Sequence, residues 1–238
     1  MTGSKVRMAK GEKTCTTRPK AKTRRILPRR SGRFIWSATR SRPGGARLCI
    51  GRTNPFLSTD GIRQGAMLAR RFDGAALTGV YSSPQRRAVE TALLLAEGRW
   101  PVTAVDGLEE LDIGEWEGRT FDDVKANDAK VWNLRLKRPD LYWPKGGEAP
   151  AEGLERFKKA FFALLRRTRG DIAVVAHSGV NRVLLADLKG MHPSRMFENP
   201  QQYTGVSVLR FLGADVRVEI EDAGDRHRLF EARNDREQ

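Results

Sequence analysis

The chain has 238 residues, 39% of them hydrophobic, and a net charge of +15, which fits one globular domain with a substantial core. No apolar run reaches membrane-spanning length and no segment resembles a signal peptide, so we expect a cytoplasmic protein without a membrane partner. The two cysteines and three histidines form no cluster, which argues against a disulfide framework or a structural zinc site.

The positive charge is concentrated in the first fifth of the chain. Residues 1–47 hold 15 Lys and Arg and one acidic residue, Glu12, whereas residues 48–238 hold 29 basic and 28 acidic residues. Residues 1–33 also lack apolar periodicity, which predicts a basic, disordered N-terminal segment. Two interpretations of this segment stay open: an arm that binds nucleic acid or directs targeting, and a solvated tail without a role.

From Gly51 onward the sequence predicts alternating helices and strands. Ser58-Thr59-Asp60 is typical of a helix start, and Leu77–Ser82 is typical of a short strand. Residues 172–176 form a continuous apolar run, which favours a strand covered on both faces. Helical apolar stripes are predicted at Ile62, Ala66, Ala69 and Phe72, at Ala88, Val89, Ala92, Leu93 and Ala96, and at Leu154, Phe157, Phe161, Leu164 and Leu165.

The end of the chain and its middle differ from this alternation. GVSVLRFL and DVRVEI flank Gly213-Ala214 and predict an antiparallel hairpin. Residues 121–153, rich in charge, Trp and Pro, predict an edge insertion within a domain at residues 34–238. Its Trp132, Tyr142 and Trp143 either line a substrate mouth or pack the insertion. Together the elements predict a three-layer α/β/α sandwich with a mostly parallel sheet.

Two predicted strand-to-helix junctions carry residues suited to phosphate. Arg87 lies in the first helical turn of VYSSPQRRAVETA, and His177 ends the strand of VVAHSGVNR. Helix N-termini attract anions, so these junctions indicate a phosphate cradle. Glu110, in LEELDIGEWEG, is a candidate general acid. Each residue also has a structural interpretation: Arg87 as a surface arginine, Glu110 as a solvated acid and His177 as a helix cap.

SSPQRRAVETA, LEELDIGEWEG and VVAHSGVNR, in this order, resemble motifs of the histidine phosphatase superfamily, which has the phosphoglycerate mutase-like fold. IGRTNPFLSTDGIRQ, WPKGGEAPAEGLERF and PQQYTGVSVL resemble further family segments, and the Gly-Gly-Glu of the second is typical of phosphatases. The resemblance implies hydrolysis of a small phosphorylated metabolite through a phosphohistidine, without a metal or other cofactor. It implies that Arg87 and His177 hold phosphoryl oxygens, while Glu110 protonates the leaving oxygen and then activates water.

The chain departs from the family at the first motif. In the family a strand ending in Leu-Val-Arg-His-Gly supplies the nucleophile and a second phosphate-binding arginine. The family's usual spacing from Gly51 assigns Ser37-Ala38-Thr39 to this motif, with Ser37 at the arginine position and Ala38 at the nucleophile position. Because a methyl group cannot attack phosphorus, the chain as written is expected to be inactive.

The genetic code offers another interpretation of the gap. In a shifted frame, each new codon consists of the third base of one codon and the first two bases of the next. Applied to the codons from Arg33 to Ala38, with a suitable choice of synonymous codons, this frame can encode (Val/Ile)-His-Leu-Val-Arg-His at positions 33–38. A local frameshift, compensated before Gly51, would explain both the missing nucleophile and the Arg-rich, acid-poor composition of residues 1–47. We therefore hypothesise that this N-terminal fifth is a shifted reading.

Three functions follow from these observations. The first is a phosphatase whose nucleophile is hidden by a frameshift. The second is an inactive pseudophosphatase that binds a phosphate ligand through Arg87, Glu110 and His177. The third is a nucleic-acid-associated protein that uses residues 1–33. LCIGRTNPFLS is similar to a segment of α-ribazole-phosphate phosphatases, although Asn54 stands where an aspartate is usual; the sequence leaves the substrate and the oligomeric state open.

Overall fold

A computed structural model describes residues 31–38, 47–212 and 215–223. Residues 1–30 of the predicted basic segment lie outside the described ranges. The first strand begins at Ser31, three residues before the domain boundary that we expected at residue 34. Within the described parts of the chain, no helix combines the length and hydrophobicity that a membrane span requires.

The helices and strands alternate along most of the chain. The strands are β1 (Ser31–Ala38), β2 (Leu77–Ser82), β3 (Val102–Ala104), β4 (Asp171–Ala176), β5 (Val206–Leu212) and β6 (Asp215–Ala223). The helices are α1 (Thr59–Arg71), α2 (Arg86–Ala96), α3 (Phe121–Asn127), α4 (Ala129–Leu134), α5 (Pro150–Arg167) and α6 (Ser178–Leu188), with 3-10 helices at Gly114–Trp116 and Pro193–Glu198. The predicted edge insertion contains α3, α4 and the loop that leads to α5.

The strands form one sheet in the order β3-β2-β4-β1-β5-β6 across the described residues. Strands β3, β2, β4 and β1 run parallel, and β5 and β6 form the predicted antiparallel hairpin. The predictions of a mostly parallel sheet and of this hairpin are confirmed. Since parallel strands end at the same edge, β1, β2 and β4 deliver their last residues to one place, which is where open α/β sheets bind ligands.

Helices cover both faces of the sheet. Alternate residues of β4 belong to two different core clusters: Ile172 and Val174 pack with α5 and α6, whereas Ala173 and Val175 pack with α1 and α2. This period of two is the geometry of a strand buried on both faces. The predicted three-layer α/β/α sandwich is therefore confirmed.

The apolar stripes were predicted with unequal success. All five stripe residues of α5 are buried. In contrast, Ile62 of α1 and Leu93 of α2 are 50% and 55% exposed, and Ala66 of α1 is exposed as well, so these parts of the predicted stripes are wrong. In α1 the close contact with α2 is made by a glycine instead: a Cβ on Gly65 would lie 2.7 Å from Leu94 Cδ1.

Candidate active site

The carboxyl ends of β1, β2 and β4 bring the candidate residues to one edge of the sheet. β4 ends at Ala176, and His177 follows as the residue that precedes α6. β2 leads through Gln85 into α2, whose second residue is Arg87. β1 pairs with β4 in parallel so that Ala38 lies opposite Ala176. The backbone of position 38 therefore ends at the same level of the sheet as His177 begins.

Arg87 is buried and already holds two backbone carbonyls. Its side chain is 3% exposed, which excludes the surface-arginine interpretation. Nη1 donates to the carbonyl of Thr53 at 2.7 Å, and Nη2 donates to the carbonyl of Gly51 at 2.9 Å. Burial lowers the pKa of Arg87 from its ordinary value, while the carboxylates of Glu110 and Glu117 act in the opposite direction. The guanidinium is thus fixed in orientation and partly desolvated.

Glu110 binds the N-terminus of α6. Its Oε2 accepts from the N–H of Gly179 at 2.9 Å, and its Oε1 accepts from the N–H groups of Val180 at 3.0 Å and Leu111 at 2.9 Å. Helix N-termini favour such an anionic acceptor. The residue is only 8% exposed, so the solvated-acid interpretation is wrong. Gly179 is required for this contact, because a Cβ there would meet Glu110 Oε1 at 2.5 Å.

His177 presents a buried imidazole that makes no capping bond. The residue is 3% exposed and occupies the N-cap position of α6 without a side-chain capping hydrogen bond. Its Nε2 has no hydrogen-bond partner among the residues that the structure describes. Burial, followed by the positive charges of Arg87 and Arg156, holds the pKa of His177 well below its usual range. The imidazole is therefore neutral at pH 7 and keeps Nε2 available for a ligand.

Arg87, Glu110 and His177 line one cavity of about 270 Å³. Two of the three aromatic residues proposed for a substrate mouth, Trp132 and Trp143, line it as well, whereas Tyr142 does not. Within the described ranges, no group of three or more His, Cys, Asp or Glu has an arrangement suited to a metal ion.

Two further residues organise the site and were missed in the sequence. Gln85 donates from Nε2 to the carbonyl of Gly51 at 2.8 Å and accepts at Oε1 from the N–H of Glu110 at 2.8 Å. Glu117 accepts from the N–H groups of Gly51, Arg52 and Thr53 and from the Thr53 hydroxyl. Both lie inside the quoted motifs, but their partner, the loop at residues 51–53, is far away in sequence.

The charge of Glu117 is stabilised by this loop. Burial acts to raise the pKa of Glu117, but the hydrogen bonds from the Thr53 side chain and from the loop backbone outweigh it and lower the pKa. Because the same loop carbonyls receive Arg87, the loop is held between a carboxylate and a guanidinium. It therefore fixes the distance between α2 and the segment around Glu117.

An ion-pair network lies beside the cavity. Arg156 Nη2 contacts Glu148 Oε2 at 2.6 Å, and Arg156 Nη1 contacts Glu109 Oε2 at 3.2 Å. Arg52 reaches the same Glu148 oxygen at 3.4 Å. Glu148 belongs to the Gly-Gly-Glu segment. Burial acts to raise its pKa, but the Arg156 and Arg52 guanidinium groups outweigh burial and lower it.

Comparison with known proteins identifies the family. The model of the histidine phosphatase superfamily (branch 1) matches residues 38–221. The chain belongs to this superfamily. It is 27% identical over 174 residues to putative phosphoserine phosphatase 2 of Hydrogenobacter thermophilus, covering 68% of this chain and 81% of that protein. It is 31% identical over 153 residues to the adenosylcobalamin/alpha-ribazole phosphatase of Escherichia coli, covering 63% of this chain and 75% of that protein.

The solved structures give the same fold. The structure of Bacillus stearothermophilus YhfR superimposes with a TM-score of 0.74 at 24% identity, covering 82% of this chain and 98% of that one. The phosphoglycerate mutase-like fold is therefore confirmed. Membership of the histidine phosphatase superfamily, together with relatives named as phosphatases, supports a phosphatase function in general.

Proposed function

We propose that this site belongs to a phosphomonoester hydrolase that acts through a phosphohistidine, and that its nucleophile belongs at position 38. The observation that carries the proposal is the register of β1 with β4, which pairs Ala38 with Ala176 directly ahead of His177. Position 38 thus shares a sheet edge with three residues that line one cavity: Arg87, Glu110 and His177. A histidine at position 38 would complete a site able to form and hydrolyse a phosphoryl-enzyme.

The side chains fit the steps of this reaction. Arg87 donates one N–H of Nη1 and one N–H of Nη2 to two backbone carbonyls. Because a guanidinium has five N–H donors, the others remain for phosphoryl oxygens. The neutral imidazole of His177 contributes one N–H donor to the same group. Glu110 Oε2 accepts a single N–H bond and keeps a lone pair for the proton, which passes to the leaving oxygen and is later recovered from water.

The central position of β1 supports a shifted reading frame for this segment. β1 is hydrogen-bonded to β4 on one side and to β5 on the other, where continuous apolar residues are favoured. The chain as written instead has Ser31, Gly32 and Arg33 there, and the register pairs Arg33 with Arg210. The shifted frame permits an apolar residue at position 33 and Arg-His at positions 37 and 38. It replaces Phe34 by His or Tyr, so the support from strand composition comes from position 33 alone.

A second candidate function rests on the same site. If Ala38 is genuine, the chain retains a buried Arg87, Glu110 and His177 without a nucleophile. Such a protein binds a phosphate ester and does not hydrolyse it, which is the pseudophosphatase interpretation. The nucleic-acid interpretation depends on residues 1–33, most of which lie outside the described ranges, and it stays a prediction.

The first test is to sequence the gene across the codons for residues 25–55 from fresh genomic DNA. We expect a missing or extra base and a corrected frame that reads Arg-His at positions 37 and 38. The corrected protein should hydrolyse an aryl phosphate and accumulate a phosphohistidine when quenched during turnover. A corrected protein that does neither would rule out the hydrolase.

If the bases at Ser37, Ala38 and Thr39 do not permit Arg-His, the frameshift hypothesis is wrong. The chain as written should then bind inorganic phosphate or phosphate esters without turnover, and this binding should be lost in Arg87→Ala. Absence of both binding and hydrolysis would exclude the two phosphate functions. Affinity for nucleic acid that falls steeply with salt and disappears on removal of residues 1–33 would favour the third interpretation.

A further inference from the structure

The lining of the cavity also includes residues whose chemistry differs from that of Arg87, Glu110 and His177. They are Trp116, Phe121, Trp132 and Arg135. We call these four residues the aromatic end of the cavity. Three of them belong to the edge insertion or its first helix, and none has a part in the proposed phosphoryl chemistry. The aromatic end therefore faces whatever part of a substrate extends away from the phosphoryl group.

The rings of the aromatic end are fixed by one another. The centroid of the Trp132 ring lies 5.7 Å from that of Trp116 and 5.2 Å from that of Phe121. Trp116 also donates from Nε1 to Asp128 at 3.0 Å. With this polar edge satisfied, Trp116 contributes an apolar face to the cavity.

Arg135 is a cation without an acidic partner among the described residues. Its guanidinium carbon lies 3.7 Å from the centroid of Trp132 and 5.4 Å from that of Trp116, and Nη1 donates to the Trp132 carbonyl. Two other arginines nearby differ: Arg119 pairs with Asp123 and Asp128, and Arg138 pairs with Asp140.

The charge of Arg135 is not balanced by its other neighbours. Burial lowers its pKa to about 10, so the guanidinium is charged at neutral pH and pays a desolvation cost. Burial also raises the pKa of the adjacent Cys49 thiol to about 11, so that thiol is neutral. An anion brought by a ligand would meet this charge without displacing a protein carboxylate.

One segment joins the aromatic end to the phosphate-site residues. Leu48 forms an antiparallel β-bridge with Thr120. The backbone N–H of Cys49 donates to the Arg119 carbonyl at 2.8 Å, and the backbone N–H of Phe121 donates to the Arg47 carbonyl at 2.7 Å. The chain then continues into the loop at residues 51–53, whose carbonyls hold Arg87. The two ends of the cavity are thus positioned by consecutive residues of the same strand-like segment.

We propose that Arg135 binds a second anionic group of the substrate, a carboxylate or a second phosphate, beside the rings of Trp116, Phe121 and Trp132. The planar guanidinium suits both anions, because its N–H groups match two oxygens at once. Arg135 then selects phosphomonoesters with an acidic tail over those with a neutral one. This inference rests on the proposed function, since it assumes that the phosphoryl group lies at Arg87 and His177.

Equilibrium binding to the full chain as written tests the proposal, because Ala38 prevents turnover. Calorimetric titrations would compare inorganic phosphate, propyl phosphate, its analogue with a terminal carboxylate, propanediol bisphosphate and phenyl phosphate. We expect one or both acidic-tail esters to bind about tenfold or more tighter than propyl phosphate, which is typical of a hydrogen bond between charged groups. The carboxylate and bisphosphate ligands distinguish the two kinds of anion.

The variants assign the gain to one residue. Arg135→Gln should remove the tighter binding of the acidic-tail esters and leave the affinity for inorganic phosphate unchanged. Arg135→Lys should keep part of the tighter binding of the acidic-tail esters. Arg138→Gln is the matched control, because Arg138 lies in the same insertion, is ion-paired with Asp140 and does not line the cavity; it should keep the full gain. Thermal unfolding of each variant verifies that it is folded.

The outcomes separate this inference from the proposed function. If neither the chain as written nor the Ser37→Arg/Ala38→His variant binds inorganic phosphate or any phosphate ester, the proposed function is wrong. If propyl phosphate binds but neither acidic-tail ester binds more tightly, the role of Arg135 is wrong, and this comparison needs no variant. A gain that survives in Arg135→Gln, or a preference for phenyl phosphate over the acidic esters, also overturns it.

Discussion

β1 and β4 are neighbouring parallel strands that end at the same sheet edge but carry different chemistry. β4 leads into His177, whose imidazole is buried and whose Nε2 has no hydrogen-bond partner within the described part of the chain. β1 ends in Ser37-Ala38, paired in register with Val175 and Ala176, and neither residue supplies the family's nucleophile. Backbone pairing and the apolar pattern are therefore sufficient to form the sheet edge of the site, even where β1 lacks the histidine that the proposed reaction requires. Family membership therefore supports a phosphatase function in general, whereas the mechanism that we propose requires a histidine at position 38.

Restoring Arg-His at the end of β1 should change the rate of hydrolysis more than any other substitution. Ser37→Arg/Ala38→His should raise hydrolysis of p-nitrophenyl phosphate by roughly 10⁴-fold or more over the chain as written, the scale on which catalytic nucleophiles act. Acid-labile phosphohistidine should appear in the quenched enzyme. Ser37→Arg alone is the control and should give no turnover. An inactive double variant that still binds phosphate would show that more than position 38 has been lost.

The next largest effect is expected at Arg87, in the first turn of α2. Arg87→Ala should weaken phosphate binding by roughly 10- to 100-fold, because a desolvated charge-assisted hydrogen bond to the ligand is removed. Isothermal titration with inorganic phosphate measures this change. Arg86→Ala, an exposed neighbour on the same helix turn, should leave the affinity unchanged. Equal losses in both variants would contradict the assignment of Arg87.

Glu110 should matter for stability before it matters for catalysis. Glu110→Ala removes the acceptor for the N–H groups of Gly179 and Val180 at the start of α6, and we expect a loss of about 2 kcal/mol in the free energy of unfolding. Urea unfolding measures it. Glu115→Ala provides the control, since Glu115 forms an exposed ion pair with Lys145 and such pairs contribute little.

A pH dependence of stability is expected to arise from His177. Its pKa is depressed in the folded protein, so below about pH 6.5 the unfolded chain binds a proton that the folded chain does not. The free energy of unfolding should therefore fall as the pH drops from about 6.5 to 5, by up to about 1.4 kcal/mol per pH unit, and level off above pH 6.5.

Denaturant unfolding across this pH range provides the measurement. His177→Gln should flatten the profile between pH 5 and 6.5. His192→Gln, an exposed histidine that hydrogen-bonds to Ser194, serves as the control and should keep the slope. An unchanged slope in His177→Gln would show that another group titrates.

Local patterns in the sequence predicted the fold better than they predicted the contacts of the site. Residues 172–176 of β4 form a continuous apolar run, and the apolar residues of α5 recur at helical spacing. Both predictions were confirmed. Arg87, Glu110 and His177 stood out because they occupy strand-to-helix junctions or a family motif. Glu117 did not stand out, because its partners, the backbone N–H groups of residues 51–53, lie 64 to 66 positions away in sequence. Ile62 was misassigned because the pattern does not reveal how closely Gly65 lets two helices approach.

The location of β1 in the middle of the sheet has a consequence for synthesis of the chain. Residues 31–38 emerge from the ribosome before the other described strands, yet their partners are residues 172–176 and 206–212. Such long-range pairings are slow to form, since the intervening chain must close a large loop. Until the C-terminal half is made, β1 has no place to bind, and without β1 the facing edges of β4 and β5 stay open to aggregation. Completion of the sheet is thus expected to be a late folding step that joins β1 to strands more than 130 residues away in sequence.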